Sequence, residues 1–319
     1  MKSNLPPLTE ASSLGLDLVR ALAAQLVVVG HGLVFFGIAD IPWLQNSAVL
    51  VFFLLSGFII TYSTLRKKDS RIYEFKDYFV ERFARIYVGL VPALLFILFV
   101  DTAVLRAIPE VYTYSDAFDT KTFLGNLLML QDHPVLSSMA NRLDAPILDV
   151  TSFGSGRPLW TVGVEWWLYL LFGWLVLPSR SKKSKIAILP SFMILAIIPA
   201  YNLMDGRGHG LTLVWMLGVA IVFLNARLAN TVPKRYSALA ALTFMAFAVG
   251  KLYLTRVAYD PHLALLLAGA MLFALLYLQA TATVPRYVPT RSIRFGALFS
   301  YSLYLVHYSI LVALSHWNP

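Results

Sequence analysis

Two histidines, a glutamate and three arginines stand where an apolar chain tolerates them least. LGLDLVRALAAQLVVVGHGL carries Arg20 and His31, LWTVGVEWWLYLL carries Glu165, and SYSLYLVH carries His307. An ionisable group inside an apolar run is costly in lipid, so each is a functional candidate by default. A neutral imidazole can serve as a general base or a nucleophile near neutral pH. A carboxylate beside it can orient the ring and stabilise its charged form. Ahead of a third run, YFVERFARIYV places Arg82 and Arg85 at i, i+3 on one helix face. Such a pair suits a bidentate phosphate clamp; positive-inside orientation alone would also explain it. Asp17, three residues before Arg20, can pair with it, although both also suit snorkelling to the cytoplasmic headgroups.

Spacing turns these residues into a layer. Arg20 and His31, eleven residues apart, share a helix face within about 20° and lie about 16 Å apart along the axis. A helix entering the bilayer near residue 17 lifts His31 about 20 Å above the inner face. The helix bearing Glu165 enters from outside, which leaves Glu165 at about the same height, and His307 reaches it from a start near residue 294. Independent snorkelling residues have no reason to share a depth so far from either interface. A buried polar cluster explains the coincidence, as packing glue or as an active site, and depth does not separate the two. In FFLLSGFIIT, Ser56 and Gly57 offer a small surface for close helix approach or room for a substrate.

The elements that must carry these residues are membrane spans. With 58% apolar and 13% charged residues and a mean hydropathy of +0.69, the chain has about half the charge of a soluble domain. It is expected to be an all-α, polytopic integral membrane bundle of about nine to ten transmembrane helices. Apolar runs of spanning length lie at about 16–37, 47–64, 86–105, 159–177, 186–203, 211–226, 236–254, 262–280 and 295–315. A shorter run, 122–130, is re-entrant, interfacial or a tenth span. Basic residues cluster in alternate loops, 65–85 and 178–185 among them. If these loops are cytoplasmic, the N-terminus is inside and 106–158 is extracytoplasmic. The net charge of +9 then sets topology, and no nucleic-acid partner is expected. The chain has no cysteine, so thiolate nucleophiles, disulfides and thiolate metal sites are excluded; no metal site, cleavable leader or soluble domain is expected.

In order, LDLVRALAAQLVVVGH, FFLLSGFIIT, YFVERFARIYV, LWTVGVEWWLYLL and SYSLYLVH resemble acyltransferase family 3, polytopic membrane proteins that O-acylate cell-surface sugars. The resemblance spans about residues 14–312 and implies one membrane acyltransferase domain over 1–319, without the C-terminal esterase-like domain of some relatives. Val88 stands where the family often has proline, and Ser47-Ala48-Val49 where a glycine commonly precedes the paired phenylalanines. The family implies a bacterial inner-membrane enzyme that takes acyl-coenzyme A, usually acetyl, as donor substrate, with no permanently bound cofactor. Its acceptor would be a polysaccharide, glycolipid or lipid-linked oligosaccharide. Residue by residue, the resemblance makes His31 the catalytic group and assigns Arg82 and Arg85, with Arg20, to the donor. Ser56, Gly57, Glu165 and His307 fall on family motif positions. The expected mechanism has His31 as base or acyl carrier, supported by Glu165, with Ser56 or Tyr304 as candidate oxyanion donors. A secondary transporter or flippase is the alternative class, since transporters also hold charges near the midplane; no internal repeat is visible.

The cysteine-free chain makes the topology testable. With an impermeant thiol reagent on intact cells, Asp144→Cys should label and Lys182→Cys should stay protected. The reverse pattern would overturn the assignment.

Overall fold

A computed structural model describes residues 5–70, 73–107, 109, 112–177, 188–204, 210–281 and 283–317. The helices are α1 (Glu10–Phe35), α2 (Pro42–Ser70), α3 (Phe75–Ala107), α4 (Thr120–Leu127), α5 (Pro134–Leu143), α6 (Leu159–Val176), α7 (Ile188–Met204), α8 (Leu211–Leu228), α9 (Lys234–Thr255), α10 (Pro261–Gln279) and α11 (Thr290–Trp317). Among the described residues there is no strand. Eight helices, all but α4, α5 and α7, are long and apolar enough to cross a bilayer. The chain is an integral, multi-pass membrane protein. The ninth expected span is α7, 17 residues long within the described part. The basic loop 178–185 lies outside the described residues, as does Arg71 of loop 65–85. The run 122–130 becomes α4, whose 8 residues rise only about 12 Å and cannot cross.

The chain divides into two compact units, Met1–Gly30, Ile41–Ile72 and Gly208–Ser300 in one, His31–Asp40, Tyr73–Arg207 and Tyr301–Pro319 in the other. In the first, α2 packs on α8 backbone to backbone. A Cβ added at Gly57 would overlap the Trp215 carbonyl, and one at Gly218 would overlap that of Leu54. Only small residues allow this approach, and lipid-embedded helices depend on such van der Waals contact. Trp215 Nε1 donates to Ser56 Oγ at 3.3 Å across the same seam. Gly57 thus packs directly on α8, which is the close helix approach among the two uses open to the Ser56-Gly57 surface.

In the second unit, the segment 112–158 is held to the helices by side chains reaching backbone. Tyr87 of α3 donates to Leu127 O at 2.8 Å, Trp167 of α6 to Met129 O at 2.8 Å, and Gln131 to Leu159 O at 2.9 Å. The firmest tie is at Asp101, a fully buried carboxylate near the end of α3. It accepts from the Tyr112 hydroxyl at 2.7 Å, from the Ser155 N–H at 2.7 Å, and from the Ser155 hydroxyl. The one proton on Ser155 Oγ is then committed, so Ser309 of α11, 2.6 Å away, supplies the donor between the two hydroxyls. Gly154, at φ +50°, lets the loop close on the carboxylate, since a Cβ there would overlap Asp101 Oδ2. Burial, and then the Asp101 carboxylate, push the Tyr112 hydroxyl well above the usual phenol range, which keeps it a donor.

Polar end-caps fix the helix starts. Asp260 caps α10 by accepting from the Leu263 N–H, Pro261 occupies the first turn, and Lys251 of α9 lies 3.2 Å from the same carboxylate. Burial pushes the Asp260 carboxyl up, but the Leu263 N–H and the Lys251 ammonium outweigh it and hold it below the usual carboxylate range. A depressed carboxylate stabilises the fold above its unfolded pKa of about 4, and this is lost as pH falls through the folded value. Asp260→Ala should therefore cost about 0.5–2 kcal/mol at pH 7, read as a lower melting midpoint in detergent. The gap from wild type should shrink below about pH 4; a gap that widens on acidification would contradict the capping account.

Candidate active site

His31, in the last turn of α1, meets His307 of α11. His31 Nδ1 lies 3.1 Å from His307 Nε2, with ring centroids 5.1 Å apart and a tilt of 40°. His307 is buried and its Nδ1 lies 2.8 Å from the backbone oxygen of Tyr304. A carbonyl oxygen can only accept, so His307 carries its proton on Nδ1 and, when neutral, a lone pair on Nε2. That lone pair requires a donor, which makes Nδ1–H the protonated nitrogen of His31. The neutral His31 ring then carries its lone pair on Nε2. Hydrogen-bond direction thus runs from His31 through His307 to the α11 backbone, and it selects one tautomer of each ring.

Aromatic and hydroxyl groups fix the pair. Tyr308 packs edge-on against His31 (ring centroids 5.2 Å) and against Phe35 (4.9 Å). The Tyr304 hydroxyl lies 2.8 Å from Thr161 Oγ1, and Thr161 in turn donates to Pro158 O at 2.9 Å. Thr161 has one proton, so the Tyr304 proton points at Thr161, which joins α11 to the first turn of α6. One turn further along α6, Glu165 accepts a short hydrogen bond from the Tyr169 hydroxyl. The Tyr78 hydroxyl donates to Tyr169 O at 2.9 Å and the Tyr301 hydroxyl to Ile86 O at 3.2 Å.

Those two tyrosines carry the arginine pair. Arg82 lies over the Tyr78 ring at 5.5 Å and Arg85 over the Tyr301 ring at 5.4 Å, the range of a cation–π contact. Arg82 also pairs with Glu81 at 3.3 Å, yet its Nε is buried with no partner among the described residues. A buried guanidinium donor left open is costly and is a point at which an anionic ligand can bind. The structure therefore brings His31, His307 and Tyr304 together in the second unit and sets Arg82 and Arg85 on the rings of Tyr78 and Tyr301. Arg20 pairs with Asp17 at 3.4 Å in the first unit, where Ser56 and Gly57 form the α2–α8 seam. Spacing along the sequence gave no sign of Tyr308, which contacts His31 directly, or of Tyr169; both are aromatic residues inside spans, where aromatics are commonplace. Among the described residues no three His, Cys, Asp or Glu side chains converge as a metal site.

The tautomers are measurable. Nitrogen-15 NMR on histidine-labelled protein, with the other four histidines replaced, should show both rings protonated at Nδ1 at neutral pH. An Nε2–H signal from His307 would break the chain of inference at its first link.

Comparison with known proteins gives the chemical class. The family described as an acyltransferase domain matches residues 13–319. An O-acetyl transferase of Shigella phage Sf6 is 30% identical over 192 residues, which is 57% of this chain and 51% of that protein. The chain thus spans about half the length of that relative. No solved structure matches the chain.

Proposed function

We propose, on the premise that this chain belongs to the acyltransferase family matched along residues 13–319, that it transfers an acetyl group from cytoplasmic acetyl-coenzyme A to a hydroxyl of an extracytoplasmic or lipid-linked carbohydrate. The whole of 13–319 acts as one acyltransferase domain in this reading, seated in a bacterial cytoplasmic membrane. The observation that carries it is the His31–His307 contact, which leaves the lone pair of neutral His31 on Nε2.

In the proposed reaction, His31 Nε2 takes the proton of the acceptor hydroxyl as its oxygen attacks the thioester carbonyl. The C–S bond breaks, the thiolate leaves, and the proton passes from Nε2 to that sulfur, giving the ester and free coenzyme A. While His31 is charged, its Nδ1–H points at the His307 lone pair, so His307 fills the orienting place that a carboxylate fills in a triad. Glu165 supplies the negative charge that offsets the imidazolium. A route through an acyl group on Nε2 uses the same lone pair. Arg82 and Arg85 hold the phosphates of the donor; the open Nε of Arg82 supports this role. The side chains of Arg82 and Arg85 are already spread over aromatic rings, which limits what ordering them on a ligand would cost.

Purified protein assayed for acyl transfer tests the roles. His31→Gln should insert and bind acetyl-coenzyme A normally and transfer about 10²–10⁴-fold more slowly, the usual worth of general-base catalysis. Glu165→Gln should be milder, and adding it to His31→Gln should cost little more, because residues acting as one unit are non-additive. Arg82→Ala should raise the donor KM about tenfold or more with a smaller effect on kcat. Folded, donor-binding His31→Gln protein that transfers at the wild-type rate would end the catalytic assignment.

A further inference from the structure

The second unit holds a cleft of about 350 Å³ between two stretches of the segment 112–158, 113–122 and 146–157. That volume is at the low end of small-ligand sites, about 300–1,000 Å³. Its lining is unusual for such a site, because it is polar and carries both signs of charge. Tyr114, Asp116, Lys121, Asp149, Thr151 and Arg157 all face it.

These groups are in two states. Lys121 is fixed, donating to Pro146 O at 3.1 Å and Asp149 O at 2.9 Å, and the Asp149 carboxylate accepts from Ser137 at 2.8 Å. By contrast, the Asp116 carboxylate and the Arg157 guanidinium have no hydrogen-bond or ion-pair partner among the described residues. The Arg157 backbone is nevertheless anchored, its N–H donating to Ser155 O at 2.7 Å and its carbonyl accepting from Ser152 at 3.2 Å. One wall of the cleft leads to the imidazoles. The Tyr114 hydroxyl lies 3.4 Å from that of Tyr308, and Tyr308 packs edge-on against His31.

We propose that this cleft is the acceptor site, that it takes an uncharged, hydroxyl-rich saccharide unit, and that the Tyr114–Tyr308 contact marks its path to His31. The inference rests on the acyl-transfer reading above. Sugar hydroxyls both donate and accept, so they can meet a carboxylate and a guanidinium at once. Asp116 and Asp149 balance Lys121 and Arg157, so the cleft offers no net charge to select an acidic sugar. Tyr114 adds a flat ring against which a pyranose face can lie.

The test uses full-length protein in proteoliposomes with acetyl-coenzyme A and, as probe acceptors, methyl hexopyranosides and methyl hexuronides. Wild type should transfer acetyl to the neutral glycosides in preference to the acidic ones. Asp116→Asn and Arg157→Ala should each raise the glycoside KM about tenfold, with the KM for acetyl-coenzyme A unchanged, which also shows that the variants fold. An unchanged glycoside KM in both variants overturns the cleft assignment and leaves acyl transfer standing. Turnover of acetyl-coenzyme A with transfer to no glycoside, or with a preference for hexuronides, overturns the saccharide class. A wild-type protein that releases no coenzyme A under any condition defeats the acyl-transfer reading itself.

Discussion

The backbone oxygen of Tyr304 can only accept a hydrogen bond, and that restriction propagates through two imidazoles. It places the His307 proton on Nδ1, turns His307 Nε2 into an acceptor, and thereby decides which nitrogen of His31 holds a lone pair. In water the pattern would exchange freely with solvent. In a part-buried pair the alternatives leave the buried His307 nitrogen unpaired, which is costly at low dielectric. The chemistry proposed for His31 thus depends on a carbonyl one helical turn below its partner on α11. Whatever shifts α11 along its axis changes the basic nitrogen as well as the distance.

The depth argument from spacing joined His31, His307 and Glu165 in one layer, and the structure gives His31 and His307 direct contact. It could not say which of the two other groups met the ring, because helical rise gives height and carries no azimuth between separate helices. The Ser56-Gly57 ambiguity had the same origin. The packing partner lay beyond local sequence, since Gly218, 161 residues further on, completes the seam. The number of crossings was nearly legible from hydropathy, with α7 the exception at 17 described residues.

Asp101 was legible in principle. It is an ionisable residue inside the apolar run 86–105, the very criterion that singled out His31 and Glu165. Burial and three donors make it the anchor of segment 112–158. Its partners could not be inferred, because Tyr112 and Ser155 lie in a segment whose loops follow no helical or strand period. Arg157 and Asp116 were equally silent, as single charges in a polar stretch.

The Asp101 anchor has a bearing on how the chain is made. α3 leaves the ribosome with a carboxyl that has only the Tyr112 hydroxyl within near reach until Ser155 follows, 54 residues later. At about 5–20 residues per second, that is a wait of several seconds, and the Ser309 hydroxyl arrives only with α11. Through this interval the Asp101 carboxyl lacks its Ser155 donors, and a carboxyl without partners in an apolar setting takes up a proton rather than keep its charge. The Asp101 contacts are therefore complete only when segment 112–158 has folded back on α3, and the Ser155–Ser309 contact only when α11 has joined them.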